Sequence, residues 1–297
     1  MKKYKPYLTR VDLVKNQVER ERIQEQEAKR KRKQRIQEQN RQNHLRYQEQ
    51  LRSEMAARYF HAVQSTGGES FSNKFSVAFD GSNDHILTDS NYTQLDGQNK
   101  ATFSMWIKPT LASSDFALYV PSASDRAYTI GVYNTGMLRM QMQSSGLYVT
   151  TNTGVLSANV WQHILICIDL TLAFSSRGAI FVNGVDVTSG NNLNLTTFVT
   201  SDGSLQFSGR NISSHLYYEG QMDEIAIWRG IDLRDDVATI YSNKPTDLNN
   251  NGLTAPTTWY RMGDGDTFPT ITDNGSGGND ATMTNMDSAD IVEDVPS

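Results

Sequence analysis

From residue 71 onward, turn residues cut the sequence into short apolar runs about every ten positions, and no other feature narrows the fold so far. The runs are Phe75–Phe79, His85–Thr88, Ala101–Lys108, Tyr128–Tyr133, Met137–Met142, Trp161–Ile168, Ala179–Thr188, Leu205–Ser208, Met222–Trp228 and Thr257–Met262. Within Ala101–Lys108, Phe103, Met105 and Ile107 alternate with Thr102, Ser104 and Trp106, the period of a strand with one face in a core. Trp161–Ile168 is nearly all apolar and reads as a central strand buried on both faces. Asn134-Thr-Gly136 and Asn183-Gly184 are hairpin signals, the second the strongest in the chain. Many short strands joined by polar turns make an all-β sandwich.

Gly220–Leu233, GQMDEIAIWRGIDL, reads as the last long strand of that sandwich. Asp232 with Asp235 three residues on has the spacing of a capping box, which places a short helix over 232–241. In a regular strand the adjacent Asp223 and Glu224 point to opposite faces, so they cannot act as the two carboxylates of glycoside hydrolysis. No other strand offers paired carboxylates, and His44, His61, His85, His163 and His215 are scattered, so the expectation is a protein that is not an enzyme. The single cysteine, Cys167, lies in the apolar run Ile164-Leu-Ile-Cys-Ile168 and reads as a core thiol.

Residues 1–64 hold 17 Lys/Arg against 8 Asp/Glu, a net +9, whereas residues 65–297 hold 11 against 25, a net −14. The basic part has no Gly or Pro from Thr9 to Val63 and is dominated by Glu, Gln, Arg and Lys, so a long N-terminal α-helix is expected, about 80 Å if continuous. Apolar residues gather at its two ends: Val11, Val14 and Val18, then Leu45, Leu51, Met55 and Tyr59. These are the candidate assembly-docking residues. Lys29-Arg-Lys-Arg-Lys33 with Arg35 fits a phosphate-binding patch, a solvated helix face or a contact with an acidic protein. No aromatic residue interleaves the cluster, which favours protein assembly over nucleic acid. No run reaches the length of a membrane span and no secretory h-region opens the chain.

Five segments follow one another as in the laminin-G-like, concanavalin-A-type jelly rolls: FDGSNDHI (Phe79–Ile86), TFSMWIKPT (Thr102–Thr110), WQHILICID (Trp161–Asp169), AIFVNGVDV (Ala179–Val187) and GQMDEIAIWRGIDL. The resemblance implies two antiparallel sheets, one concave, and a binding role. It divides the chain into a basic helical arm, 1–66, and a jelly-roll domain, 67–297, with its core at 71–243. Trp259–Asp266 and Ile271–Met283 resemble the motif that opens such domains, so the C-terminal segment 257–285 is expected to complete the same sandwich. With its Gln/Arg-rich arm, the chain also resembles tailed-phage virion proteins of the marine phage type.

Asp80, Asn83, Asp84, Asp223, Asp273 and Asn279 lie in Gly-rich loops or at strand edges, where hard oxygen donors suit Ca²⁺; Asp and Asn also cap turns there. Trp106, Tyr133, Arg139, Tyr148, Tyr217 and Trp228 are the candidate glycan-binding residues, with Asn211 and His215 as further hydrogen bonders. The expectation is a virion structural protein (tail fibre, adaptor or capsid decoration) that docks on other virion proteins through residues 1–66. It would form homo-oligomers and display a lectin-like head toward a host glycan. The alternative is a secreted or cell-surface carbohydrate-binding module.

Overall fold

The computed structural model describes residues 71–297 other than 124, 211–215 and 243. The helical arm and its docking residues Val11, Val14, Val18, Leu45, Leu51, Met55 and Tyr59 lie outside the described residues, as do Asn211 and His215.

The described chain forms two antiparallel sheets. Sheet A runs in the order β10 (Val185–Asp186), β9 (Gly178–Val182), β8 (Gln162–Asp169), β3 (Lys100–Pro109), β13 (Glu219–Arg229), β1 (Ser76–Asp80) and β17 (Ile291–Val292). A further strand, β14 (Thr258–Tyr260), pairs with the part of β13 that β1 leaves open. Sheet B runs β11 (Thr188–Asn191), β7 (Ser144–Thr151), β6 (Leu138–Met142), β5 (Asp125–Val132), β4 (Asp115–Ser122), β12 (Ser204–Phe207), β2 (His85–Asn91), β16 (Ala281–Thr284) and β15 (Thr270–Ile271). Strands β4 and β7 are not among the runs singled out in the sequence. Their polar ends and the Gly146 and Pro121 within them hide the period.

The core lies between the sheets. Phe103, Met105 and Ile107 of β3, Ile164, Ile166 and Ile168 of β8, and Ile225 and Ile227 of β13 meet Tyr128, Ile130, Met140, Val149 and Phe207 of sheet B. The alternate residues of β8 and β13 form a second apolar layer on the outer face of sheet A: Leu165, Cys167, Ala226 and Trp228 pack under Leu233, Val237, Ile240 and Leu248. Strands buried on both faces therefore read as continuous apolar runs, as in Trp161–Ile168. Burial at each such side chain is worth about 1.5–3 kcal/mol.

Val182 and Val185 face each other across the Asn183-Gly184 turn, whose φ values of 49° and 77° make a two-residue hairpin that glycine adopts without strain. A Cβ on Gly184 would lie 2.7 Å from Cδ1 of Tyr241.

The expected helix over 232–241 is shorter than its spacing implies. Only α1 (Val237–Ile240) forms, with Asp236 at its N-cap and no side-chain cap. Asp232 instead turns onto Arg234, accepting from its backbone N at 3.1 Å and its Nε at 2.6 Å. That local pairing removes the residue that would have capped the longer helix.

Candidate functional site

A ligand face needs side chains that neither the core nor a covering segment claims. On sheet A the outer face is closed by residues 231–253 and by the segment 71–75. On sheet B, alternation turns one side chain in two away from the core, and antiparallel register lines these up across the strands. Tyr148 faces Gln141, Gln141 faces Thr129, Thr129 faces Tyr119, Tyr119 faces Gln206 and Gln206 faces Leu87. A parallel row runs from Thr150 through Arg139 and Gly131 to Phe116. Of these outward side chains Phe116, Tyr119, Thr129, Gln141 and Gln206 are buried, and Arg139, Tyr148 and Thr150 are half-buried.

Gly131 leaves a notch in that surface. A Cβ there would sit 3.3 Å from Tyr133 Cε2 and 3.6 Å from Phe116 Cε1, so the Tyr133 ring lies across the gap. Beside the notch, the Arg139 guanidinium lies 4.0 Å over the Tyr148 ring. Arg210 lies 5.7 Å from the centre of Phe116. Arg126 donates through Nε (2.8 Å) and Nη2 (2.5 Å) to Asp125 and through Nη1 (2.8 Å) to Gln141. The other Asp125 oxygen is 3.6 Å from Arg210. Thr129 is fully buried and its hydroxyl has no hydrogen-bond partner.

The six candidate glycan residues divide between the two sheets. Tyr133, Arg139 and Tyr148 come together on the outer face of sheet B. Tyr217, bridged to Phe116, lies at the far end of that face, its ring 6.0 Å from His85. Trp106 and Trp228 do not join them. Trp228 is wholly buried in the second apolar layer and donates from Nε1 to the Thr254 carbonyl at 2.8 Å. Trp106 packs against His163 and Tyr241 on sheet A. Thr129, Gln141, Arg126, Phe116 and Tyr119 were missed as site residues. The outward positions of Thr129 and Gln141 follow from the period of Tyr128–Tyr133 and Met137–Met142.

The Asp223-Glu224 expectation is corrected by the backbone. Asp223 pairs with Trp106 and Ala226 with Ser104, so Glu224 and Ile225 together oppose the single residue Met105. This is a β-bulge, with Glu224 at φ 49°. Met222 and Ile225, three apart, both enter the core, and the two acids between them both face outward. They share one face of sheet A.

That shared face is sealed. Asp223 is fully buried and Glu224 is 3 % exposed, beneath the segment 71–75. Asn73 Nδ2 donates to Asp223 at 2.7 Å, and Trp259 Nε1 and Arg261 Nε donate to Glu224 at 2.6 and 3.2 Å. Arg261 also donates to the Ser72 carbonyl (2.6 Å), while the Phe71 ring stacks on Trp259 at 6.3 Å. Burial, and then the neighbouring Glu224, hold the Asp223 carboxyl well above the usual carboxylate range. Burial pushes Glu224 up to about 7 against the pull of Arg261. A glycosidase pair must reach the glycosidic bond; in this structure both carboxyls are buried and bonded to Asn73, Trp259 and Arg261.

The candidate calcium residues occupy three separate places. Asp80 accepts from the backbone N of Ser82 and Asn83, and Asp84 from that of Asp80. Asp273 accepts from Trp259, Gly275 and Asn279, and Asn279 from Ser90 Oγ. Asp223 is in the bulge. The side chains of Asp80, Asp84, Asp273 and Asn279 are engaged in turn geometry or strand-to-loop contacts of the kind Asp and Asn make without a metal, and Asn83 joins its turn through the backbone. Among the described residues, no group of three His, Cys, Asp or Glu side chains is disposed to hold a metal ion. His163 is buried, bonds Ser104 Oγ at 2.8 Å, and is held near pKa 3 by burial, a packed residue of the sheet.

Comparison with known proteins follows the same architecture. Residues 80–238, more than half of the chain, match the family model Laminin_G_3, described as the concanavalin A-like lectin/glucanases superfamily. No curated protein sequence matches the chain. Among solved structures, a putative carbohydrate binding protein from Bacteroides ovatus superposes with a TM-score of 0.56 at 13% identity, over 76% of this chain and 62% of that one. The heptameric SAP-like pentraxin from Limulus polyphemus gives 0.47 at 16% identity, over 57% of this chain and 82% of that one. Tailspike protein 2 from Escherichia coli O157:H7 bacteriophage CAB120 gives 0.44 at 14% identity, over 68% and 31%. The likeness to the Bacteroides ovatus protein is one of fold.

Proposed function

The chain belongs to the concanavalin A-like lectin/glucanases superfamily, and we propose that its body is a non-catalytic carbohydrate-binding module whose ligand face is the outer face of sheet B. One observation carries this reading. The outer face of sheet A is buried under covering segments, whereas on the outer face of sheet B, where Phe116, Tyr119, Thr129, Gln141 and Gln206 are buried, Tyr133, Arg139 and Tyr148 stay half-exposed around Gly131. Glycan recognition needs such a surface, with apolar rings set among hydrogen-bonding groups held by a rigid scaffold. The half-buried Tyr133, Arg139 and Tyr148 around the Gly131 notch are its accessible part.

Screening the full chain on a glycan array, followed by titration calorimetry with any hit, tests the reading. Tyr148→Ala and Tyr133→Ala should weaken binding, each by about tenfold, the cost of one aromatic or charge-backed contact. Trp106→Phe on sheet A should leave it unchanged. Binding insensitive to every sheet B substitution would refute the assignment of the face, and hydrolysis of a bound glycan would refute the non-catalytic role.

The finer reading is a virion component that docks on other virion proteins through residues 1–66, forms homo-oligomers and turns the lectin-like body outward. Its support is the composition of the chain. A basic, Gly- and Pro-free stretch of net +9 precedes a body of net −14, and the stretch has apolar clusters at its two ends. Co-sedimentation of the protein with purified phage particles at fixed copy number is the expected result. Its recovery only as a soluble or cell-surface protein would refute this reading and leave the glycan-binding one intact.

A further inference from the structure

We infer that residues 71–75 are a proton-dependent strap: Asn73 latches the segment onto a protonated Asp223, and loss of that proton lets the segment lift while the sandwich beneath stays folded.

Residues 71–75 belong to no strand, and the hydrogen bonds that hold them run to side chains. Asp264 accepts from the backbone N of Lys74 at 2.9 Å and of Phe75 at 3.4 Å. Arg261 donates to the Ser72 carbonyl, and the Phe71 ring stacks on Trp259. Ser72 and Lys74 are exposed, whereas Phe71, Asn73 and Phe75 are half-buried. Strand β13 underneath is paired with β1, β3 and β14, and none of these ladders runs through the segment. A piece held in this way opens at a lower free energy than the sheet on which it lies.

The latch is an acid–amide pair. Asn73 Nδ2 donates to Asp223 Oδ2 at 2.7 Å, whereas Asn73 Oδ1 and Asp223 Oδ1 are both buried without a partner. A carboxylic acid and an amide join through two parallel bonds, N–H to carboxyl oxygen and O–H to amide oxygen. One proton on Asp223 Oδ1 therefore satisfies both orphans. Without it two acceptors stay buried with no donor, and each costs its desolvation.

The surrounding charges favour that proton. Asp223 has Glu224 on its own strand and Asp264 beyond β14, with the Arg261 guanidinium paired to both of these neighbours. Asp266 lies near Arg261, and the strap itself adds the exposed Lys74. Strand β3 places Trp106 beside Asp223, and its Lys108 is paired with Asp294. Burial, and then Glu224, hold the Asp223 carboxyl above the usual carboxylate range. The closed strap thus keeps a proton that the open one releases, so closure is complete at low pH and weakens as pH rises. Lifting the strap brings the acid pair and the Trp259 ring to the surface.

Hydrogen exchange of the full chain, read by mass spectrometry from about pH 5.5 to 8, tests this. Protection is taken relative to the intrinsic exchange rate at each pH, and β8 serves as the reference. Protection at Lys74 and Phe75, whose amides bond Asp264, should fall as pH rises, by up to about tenfold per pH unit for one proton. It should lie well below that of β8 at every pH. Asp223→Asn puts an N–H where the latch needs an O–H, and should hold these amides about tenfold or more above the wild type near pH 8. Asn73→Ala removes the latch and should leave them weakly protected across the whole range. Strap protection that does not change with pH would overturn the inference, as would a strap that exchanges only together with β8. So would an Asp223→Asn variant that follows the wild type.

Discussion

Replacing Asp223 with asparagine should flatten the pH dependence of stability. The carboxyl is wholly buried in the bulge, receives one hydrogen bond from Asn73 and has a second oxygen without a partner. Burial and the adjacent Glu224 hold its pKa well above the ordinary value, so the folded chain keeps a proton that the unfolded chain releases.

The sign follows from proton counts. Between the unfolded pKa and the raised folded one, the native state binds more protons, so stability is full at low pH and falls as pH rises, by about 1.4 kcal/mol per pH unit for one group. This is opposite to the usual surface carboxylate. Glu224, pushed up to about 7 chiefly by burial, acts in the same direction and is kept in the variant. In Asp223→Asn the new amide matches the protonated carboxyl in shape, and its oxygen can still accept from Asn73. The variant should match the wild type at acidic pH and exceed it at neutral pH, by about 1–3 kcal/mol given the slope above.

Urea unfolding of the full chain at a series of pH values between about 5 and 7.5 measures this, with tryptophan emission as the signal. Trp259, bonded to Glu224, reports on the region. Parallel pH slopes for wild type and variant, or a wild type that gains stability across this window, would refute the reasoning.

Three further outcomes follow from particular contacts. Trp228→Ala removes a wholly buried tryptophan of the second apolar layer and its bond to Thr254, and should cost about 3–5 kcal/mol in chemical denaturation. Gly184→Ala meets both a positive φ and the Tyr241 ring at 2.7 Å, and should lower stability by about 1–2 kcal/mol. Gly131→Ala presses on Tyr133 at 3.3 Å; because that ring is half-exposed and can give way, the substitution should change the melting temperature little but weaken glycan binding, measured by calorimetry.

Much of the architecture was legible in the residues. Period-2 runs, the fully apolar Trp161–Ile168, and the Asn134–Gly136 and Asn183-Gly184 turns mark strands, a central strand and hairpins, because backbone alternation and turn φ values are set locally. The outward position of Arg139 follows from the period of Met137–Met142, whereas Tyr148 lies in a strand whose period is hidden. Position in the sandwich is not set by the period. Trp106 and Trp228 look like exposed rings on alternating strands, yet sheet A is covered on its second face by residues far along the chain. Only that long-range covering turns outward positions into buried ones.

The Asp223-Glu224 pair shows the division most sharply. The residues themselves set an acidic dipeptide in a strand, and the three-residue step from Met222 to Ile225 already marks an extra residue. Whether two adjacent acids diverge or converge depends on pairing with β3, where the bulge rotates both to one side. Their partners Asn73, Trp259 and Arg261 are supplied by segments up to 150 positions away in the chain. The order of residues alone specifies a jelly-roll body with the rows of side chains that can meet a ligand. Which rows stay open and which are sealed is settled only when the chain closes on itself, because burial depends on what packs from a distance and not on the local period of the chain.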